Sequence, residues 1–300
     1  MARNQPLVLR MADMEIVHFD APLEFQEQAQ PYLVRWEAEN NLLLGILAGI
    51  IGGEYRDIKP YLSMIVDEGK VQTAALCTPP FPVLISYQNP APKPALLQVL
   101  LDDLLSWLGD DFCGLSGNKE YITPLIDLWQ AFTGKEASLE MALRIYKLDQ
   151  VEPVRGVEGQ SRLVDESDRD LLIDWYAGFH RDSMGNDPNP THVRKQVKTY
   201  LEADPRMRGM MIWEVGGIPV SMAGYAGPTP HGIRVGAVYT PPEQRRKGYA
   251  SACAASVSQH LLDQGFQFCF LFTDLMNPTS NHIYQQIGYR PVCDVDRYIF

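Results

Sequence analysis

Residues 236–251, Gly-Ala-Val-Tyr-Thr-Pro-Pro-Glu-Gln-Arg-Arg-Lys-Gly-Tyr-Ala-Ser, constrain this chain more than any other segment. The pattern predicts a strand that stops at Thr240, a turn through Pro241 and Pro242, and a basic loop opening into a helix at Gly248. A helix amino end presents unpaired N–H groups and the positive end of the helix dipole, so it binds phosphate. Arg245, Arg246 and Lys247 add cations just before the small residues Gly248 and Ala250, where backbone can approach a ligand closely. The loop lacks the Gly-Lys-Ser/Thr ending of a P-loop and the three glycines of a dinucleotide-binding turn. The chemistry suits a diphosphate.

A second segment reads Asn277-Pro-Thr-Ser-Asn281-His-Ile-Tyr284-Gln-Gln-Ile-Gly288-Tyr289. Asn277 suits a helix N-cap, Pro278 the first helical position and Gly288 the stop. Asn277, Asn281 and Tyr284 stand at i, i+4 and i+7 and so share one helix face. Together the two segments resemble the GNAT acyltransferase superfamily. Arg245-Arg-Lys-Gly248-Tyr-Ala250 is similar to its acetyl-CoA signature (Gln or Arg, two residues, Gly, one residue, Gly or Ala), and the second segment fills every fixed position of a downstream motif.

The resemblance implies acetyl-CoA as cofactor, with its diphosphate on the amides of residues 246–251. It assigns cofactor contacts to Val238, Tyr239, Thr240, Arg245, Arg246, Lys247, Gly248, Tyr249, Ala250, Ser251, Asn277 and Asn281. The pantetheine arm lies beside the strand ending Val238-Tyr239-Thr240, and the asparagines touch that arm. Tyr284 is the catalytic acid for the departing thiolate, and the backbone N–H near Val238 serves the oxyanion. Several family members carry a glutamate base on the strand before the loop, where Arg234 stands here and cannot serve. Glu214, His231, Asp274 and His180 are the alternatives, and none is singled out.

Length and composition bound the rest. Three hundred residues fit one large or two ordinary domains. Apolar residues form 46% of the chain and charged ones 21%, as in water-soluble globular proteins. A net charge of −11 opposes general binding to nucleic acid or anionic membranes and suits a cationic amine substrate. The five cysteines show neither CxxC pairing nor metal-ligand spacing, so reduced cytosolic thiols and no metal site are expected. The amino terminus lacks the apolar core of a signal peptide, and the run Leu42–Ile51 is half a membrane span. A cytoplasmic protein is the expectation.

The polar, Pro- and Gly-broken stretch 151–160 predicts a linker between domains 1–150 and 151–300. The second is read as strand 162–164, helices 167–180 and 191–203, strands 208–214 and 218–225 in a hairpin, strand 232–239, helix 248–263, strand 266–272, helix 277–286 and a closing strand 292–299. In the first, strand 82–87, helix 94–108, strand 112–116 and helix 119–132 echo that order. Met64-Ile-Val-Asp-Glu-Gly69 repeats as Met211-Ile-Trp-Glu-Val-Gly216, 147 residues later. The fold expected is α+β: two GNAT-like domains, each a mixed, mostly antiparallel sheet flanked by helices.

The first domain departs from the second where chemistry would occur. Its counterpart of the basic loop, Asn89-Pro-Ala-Pro-Lys-Pro94, has three prolines without N–H groups and one cation. Leu125 stands at about the tyrosine's place. The first domain is therefore read as degenerate, without the cofactor motif, and the second as the catalytic N-acetyltransferase domain. The implied activity is acetyl transfer from acetyl-CoA to a primary amine, on a small molecule or a peptide, by direct attack in a ternary complex. A non-catalytic acyl-CoA-binding module, or an enzyme using a different acyl-CoA, is the alternative. The segment 181–190, with Asp182 and Asp187, is the candidate acceptor loop.

Overall fold

The computed structural model describes residues 10–11, 14–88 and 93–300. They form two compact units. The first holds the described residues up to Ile145 with Asp274–Met276 and Val292–Phe300; the second holds Tyr146–Thr273 and Asn277–Pro291.

The first part of the chain runs β1 (Arg10–Met11), β2 (Met14–His18), α1 (Pro22–Leu33), α2 (Asn41–Ile51), β3 (Tyr61–Asp67), β4 (Lys70–Cys77), β5 (Val83–Ile85), α3 (Pro94–Leu108), β6 (Gly114–Asn118), α4 (Lys119–Thr133) and β7 (Ser138–Leu148). There follow β8 (Gln160–Leu163), α5 (Arg169–Met184), α6 (Pro190–Glu202), β9 (Arg208–Val215), β10 (Ile218–Ala226), β11 (Gly232–Tyr239), α7 (Tyr249–Asp263), β12 (Phe268–Asp274), α8 (Pro278–Gln286) and β13 (Arg290–Ile299). From β2 onward the order β-α-α-β-β-β-α-β-α-β occurs twice.

Within the first unit the strands lie in the order β1-β2-β3-β4-β5-β6-β13. Every pair is antiparallel except β5 with β6. Within the second they lie β12-β11-β10-β9-β8, with β12 alone parallel to its neighbour. The strands of each unit thus pair in a mixed, mostly antiparallel way, the expected α+β class.

The repeated Met-Ile motif lies in β3 and β9, each entering a hairpin. Gly216 and Gly217 turn the second hairpin with φ of 57° and 78°, values that residues with a Cβ seldom adopt. Strand alternation then sends successive residues to opposite faces. On β9, Met211 joins the core under α7, while Met210 and Ile212 join the core under α5 and α6. Leu172, Trp175, Val193 and Val197 supply the helical side of that second core.

The closing strand departs from expectation. Read by proximity in sequence, 292–299 would finish the second sheet; instead it lies in the first unit, pairing Val295 with Asn118 through Ile299 with Gly114. The division also passes through β7, so that Tyr146 and Leu148, both fully buried, belong to the second unit's core. Helices α1 and α2 and strand β7 have no counterpart in the sequence-based expectations. Of the segment 89–94, expected to be the degenerate counterpart of the cofactor loop, residues 89–92 lie outside the described residues, and Pro94 begins α3.

No helix among the described residues is long and apolar enough to cross a membrane. No group of three metal-ligating side chains is present among them. All five cysteines are free.

Candidate active site

The basic loop and the start of α7 form the first wall. Gly248 is the N-cap of α7, with φ of 82° and no side-chain cap. Arg246 also has positive φ, 64°. Left-handed residues alternating with right-handed ones gather successive amides into a concavity that accepts anions. The first end-of-helix bond is Ala252 N–H to Gly248 O, at 3.0 Å. The amides of residues 246–251 donate to no described residue, so Arg246, Lys247, Gly248, Tyr249, Ala250 and Ser251 bring unspent donors together. A Cβ on Gly248 would stand 2.7 Å from a Val157 methyl carbon, which bars larger residues there as firmly as the φ does.

The three cations part company. Arg245 turns back: its Nε donates to Thr240 O at 2.9 Å and its guanidinium meets Asp182 at 2.5 Å. Lys247 Nζ donates to Gln244 Oε1 at 2.9 Å. Arg246 has no ion-pair partner among the described residues, and its own amide belongs to the open run. Asp182, on α5, was expected to attract a cationic amine, and here it holds the loop through Arg245. Asp187 faces Arg181 at 3.5 Å. Both aspartates of the expected acceptor segment are thereby matched to arginines.

Strand β11 forms the second wall, and it carries a bulge that the sequence reading missed. Gly236 pairs with Gly224 and Tyr239 with Met222, so Ala237 and Val238 together oppose Ala223. Ala237 adopts φ of 47°. The extra residue reverses the faces. Ile233 and Val235 point to the α7 side, but Ala237 points to the α5 side, with Val238 back toward α7 and Tyr239 toward α5. Parallel pairing with β12 covers Gly232–Arg234 against Phe268–Phe270 and no further, so the two strands part beyond it. Ser221, fully buried on β10, secures the end of β11 by donating to Tyr239 O at 3.0 Å and bonding Thr240 Oγ1 at 2.9 Å.

Helix α8 is the third wall. Asn277 caps it as expected, accepting from Ser280 N–H at 3.0 Å, with Pro278 at the first turn. Tyr284 is half-buried, packs against the α7-side core and meets Tyr289 edge-on at 5.9 Å. Its hydroxyl has no hydrogen-bond partner among the described residues. Burial pushes its pKa far above that of an ordinary phenol, with a smaller contribution from Cys253. Burial likewise pushes the Cys253 thiol up to about 12. Asn281 points inward: Thr273 Oγ1 donates to its Oδ1 at 2.5 Å, Tyr146 O–H donates to the same oxygen at 3.1 Å, and its Nδ2 donates to Asn277 O at 2.8 Å.

None of the four candidate bases stands clear. Glu214 accepts from Arg162 at 2.7 Å, in a cluster where Arg162 also grips Asp168 at 2.6 Å. His231 precedes β11, at the opposite end of an eight-residue strand from the basic loop, roughly 25 Å away at the usual strand rise. Asp274 caps a turn, accepting from Met276 N–H at 2.7 Å. His180 Nδ1 lies 3.4 Å from Asn186 O. Nothing in the sequence marked Ser221 or Tyr146 as part of this region, since both act through contacts distant along the chain.

The first unit has a different lining at the corresponding place in its element order. Leu96, Leu97 and Leu100 of α3 and Leu125 of α4 wall a narrow cavity with Ile85 and Ser86. Leu125 is fully buried, and no cation borders that space.

Comparison with known proteins bears on this arrangement. Residues 221–298 match the family model FR47-like protein. No curated protein matches the chain. Among solved structures, a GCN5-related N-acetyltransferase from Sphaerobacter thermophilus is similar at 12% identity and a TM-score of 0.62, over 97% of this chain and 96% of its own. A GNAT-family acetyltransferase from Colwellia psychrerythraea is similar at 10% identity and 0.58, over 95% and 99%. A Drosophila protein reaches 0.65 at 14% identity, over 95% and 98%.

Proposed function

The chain has the GNAT fold, and from that premise we propose that its second unit is an acetyl-CoA-dependent N-acetyltransferase acting on a primary amine, in a small molecule or a peptide. One observation carries the reading. Among the described residues, the amides of 246–251 at the amino end of α7 have no acceptor, and Arg246, which belongs to that run, has no ion-pair partner. Left-handed geometry at a non-glycine residue costs about 1 kcal/mol or more. Arg246 holds such a geometry where it serves an anion.

The residues fit the cofactor at three points. The amides and Arg246 suit its diphosphate, since hydrogen bonds to charged groups contribute roughly 1.5–3 kcal/mol each. Val238, within the bulge, and the parted edge of β11 suit an extended pantetheine arm adding as a strand would. The phenol of Tyr284, protonated and without a hydrogen-bond partner among the described residues, suits the sulphur end. Lys247, Tyr249, Ala250 and Ser251 belong to the diphosphate region; Arg245 and Asn281 contribute by holding the walls in place, and Asn277 by capping.

Acetyl-CoA supplies an acetyl group activated as a thioester. A neutral amine would add to that carbonyl, the C–N bond forming as the C–S bond breaks, with one proton passing from nitrogen to solvent and one reaching sulphur. The Val238 amide, in the bulge of β11, suits donation to the carbonyl oxygen as charge gathers there. Tyr284 donates its hydrogen to the sulphur as negative charge develops. With its pKa raised, it stabilises that charge first as a hydrogen-bond donor. The first unit is the degenerate partner in this scheme, its slot walled by leucines.

Calorimetry of the full chain with acetyl-CoA tests the reading. Saturable binding is expected, weakened at least tenfold in Arg246→Glu, together with thiol release in a panel of primary amines. Absence of binding by the parent protein would sink it. Binding without transfer to any amine would instead favour a non-catalytic acyl-CoA module.

A further inference from the structure

Helix α8 carries the residue on which transfer depends, yet none of its nine residues is fully buried. Apolar packing alone therefore leaves the rotation of this short helix about its axis weakly determined. Three polar contacts fix it from one side. Tyr146 O–H donates to Asn281 Oδ1 at 3.1 Å, Gln285 Nε2 donates to the Tyr146 oxygen at 3.2 Å, and Thr273 Oγ1 donates to Asn281 Oδ1. Asn281 and Gln285 are one turn apart, so a single phenol engages two successive turns of α8. Tyr146 is itself 0% exposed, its ring locked in the core under α7. A rigid ring with one polar atom at its tip is well suited to setting a position.

We propose that Tyr146 is a positioning residue for acyl transfer: by holding Asn281 and Gln285 it sets the rotation of α8 and hence the direction of the Tyr284 hydroxyl. The proposal rests on the functional reading above for its consequence in turnover, but not for its structural content. Tyr284 lies between the two engaged positions in sequence and makes no hydrogen bond of its own among the described residues. Its hydroxyl is aimed only as well as the helix is held. The network explains why Asn281, matched to a motif position, spends its amide on protein partners.

The test uses the full-length chain with tyrosines carbon-13 labelled at Cζ, the Tyr284 resonance being identified by its loss in Tyr284→Phe. In Tyr146→Phe, which keeps the ring and removes the oxygen, the Tyr284 resonance is expected to shift and broaden while that of Tyr289 stays in place. Acetyl-CoA affinity should change less than twofold, while kcat falls, by up to about 100-fold if the hydroxyl moves by an ångström. An unmoved Tyr284 resonance in a folded Tyr146→Phe protein overturns the proposal. If that variant does not fold, Asn281→Ala removes the contact from the other side and is read by the same resonance. Failure of the parent protein to bind acetyl-CoA would overturn the functional reading and leave the resonance shift untouched, so the two ideas fail separately.

Discussion

A phenol contributes to a leaving group only while it keeps its proton and has not already given that hydrogen to the protein. Tyr284 meets both conditions, because burial raises its pKa above the ordinary value of 10.0 and its hydroxyl has no partner among the described residues. A raised pKa means that the folded protein retains the proton as pH climbs past the ordinary value. The kcat–pH profile should therefore show no alkaline decline from this group up to about pH 10. Tyr284→Phe should lower kcat about 100-fold with acetyl-CoA affinity preserved, read by steady-state kinetics beside calorimetry. Gly248 is constrained differently, by a φ of 82° and by Val157 at 2.7 Å from any Cβ. Gly248→Ala is expected to destabilise the fold by about 1–3 kcal/mol and to weaken acetyl-CoA binding more than tenfold, checked by thermal melts and calorimetry.

At the scale of elements, three short features shape the site: the bulge in β11, the open amino end of α7 and the capped α8. The cap was legible, since Asn-Pro before a polar helix and Gly after it are local signals, and Asn277 does accept from Ser280. Its removal in Asn277→Ala should cost about 1 kcal/mol, fray the first turn of α8 and lower kcat more than it lowers cofactor affinity. Hydrogen exchange at residues 280–283 reads the fraying directly. The bulge was not legible. A strict two-residue alternation through Ile233, Val235 and Ala237 puts all three on one face, and only pairing with β10 reveals that Ala237 has crossed to the other. Arg245 shows the same limit: three consecutive cations look equivalent until α5 brings Asp182 against one of them.

At the scale of the whole molecule, the two units do not divide at the linker that composition marks. Tyr146 and Leu148, which precede that linker, are 0% and 1% exposed in the second unit's core. Strand β13, which follows everything else, pairs with β6 in the first unit. A fragment of residues 151–300 lacks both core residues and leaves its last strand without that partner. Loss of two large buried side chains costs several kcal/mol, a large share of the roughly 5–15 kcal/mol that stabilises a domain. Such a fragment should give no cooperative thermal transition by circular dichroism, while the full chain melts cooperatively.

Beyond residue 160 the sequence by itself determined which stretches become strands and helices, because periodicity, caps and glycine turns act within a few residues. Strand 232–239 and helix 94–108 occur with the expected bounds. It also determined that basic loop and small residues would meet at a helix start, and that Asn277 and Tyr284 would share one short helix. Only the tertiary structure decided which strand pairs with the last one, on which face Ala237 lies, which arginine lacks an ion-pair partner among the described residues, and that a tyrosine from β7 bonds α8. Those outcomes depend on partners brought together from far along the chain, where many strands satisfy the same alternation and packing alone selects among them.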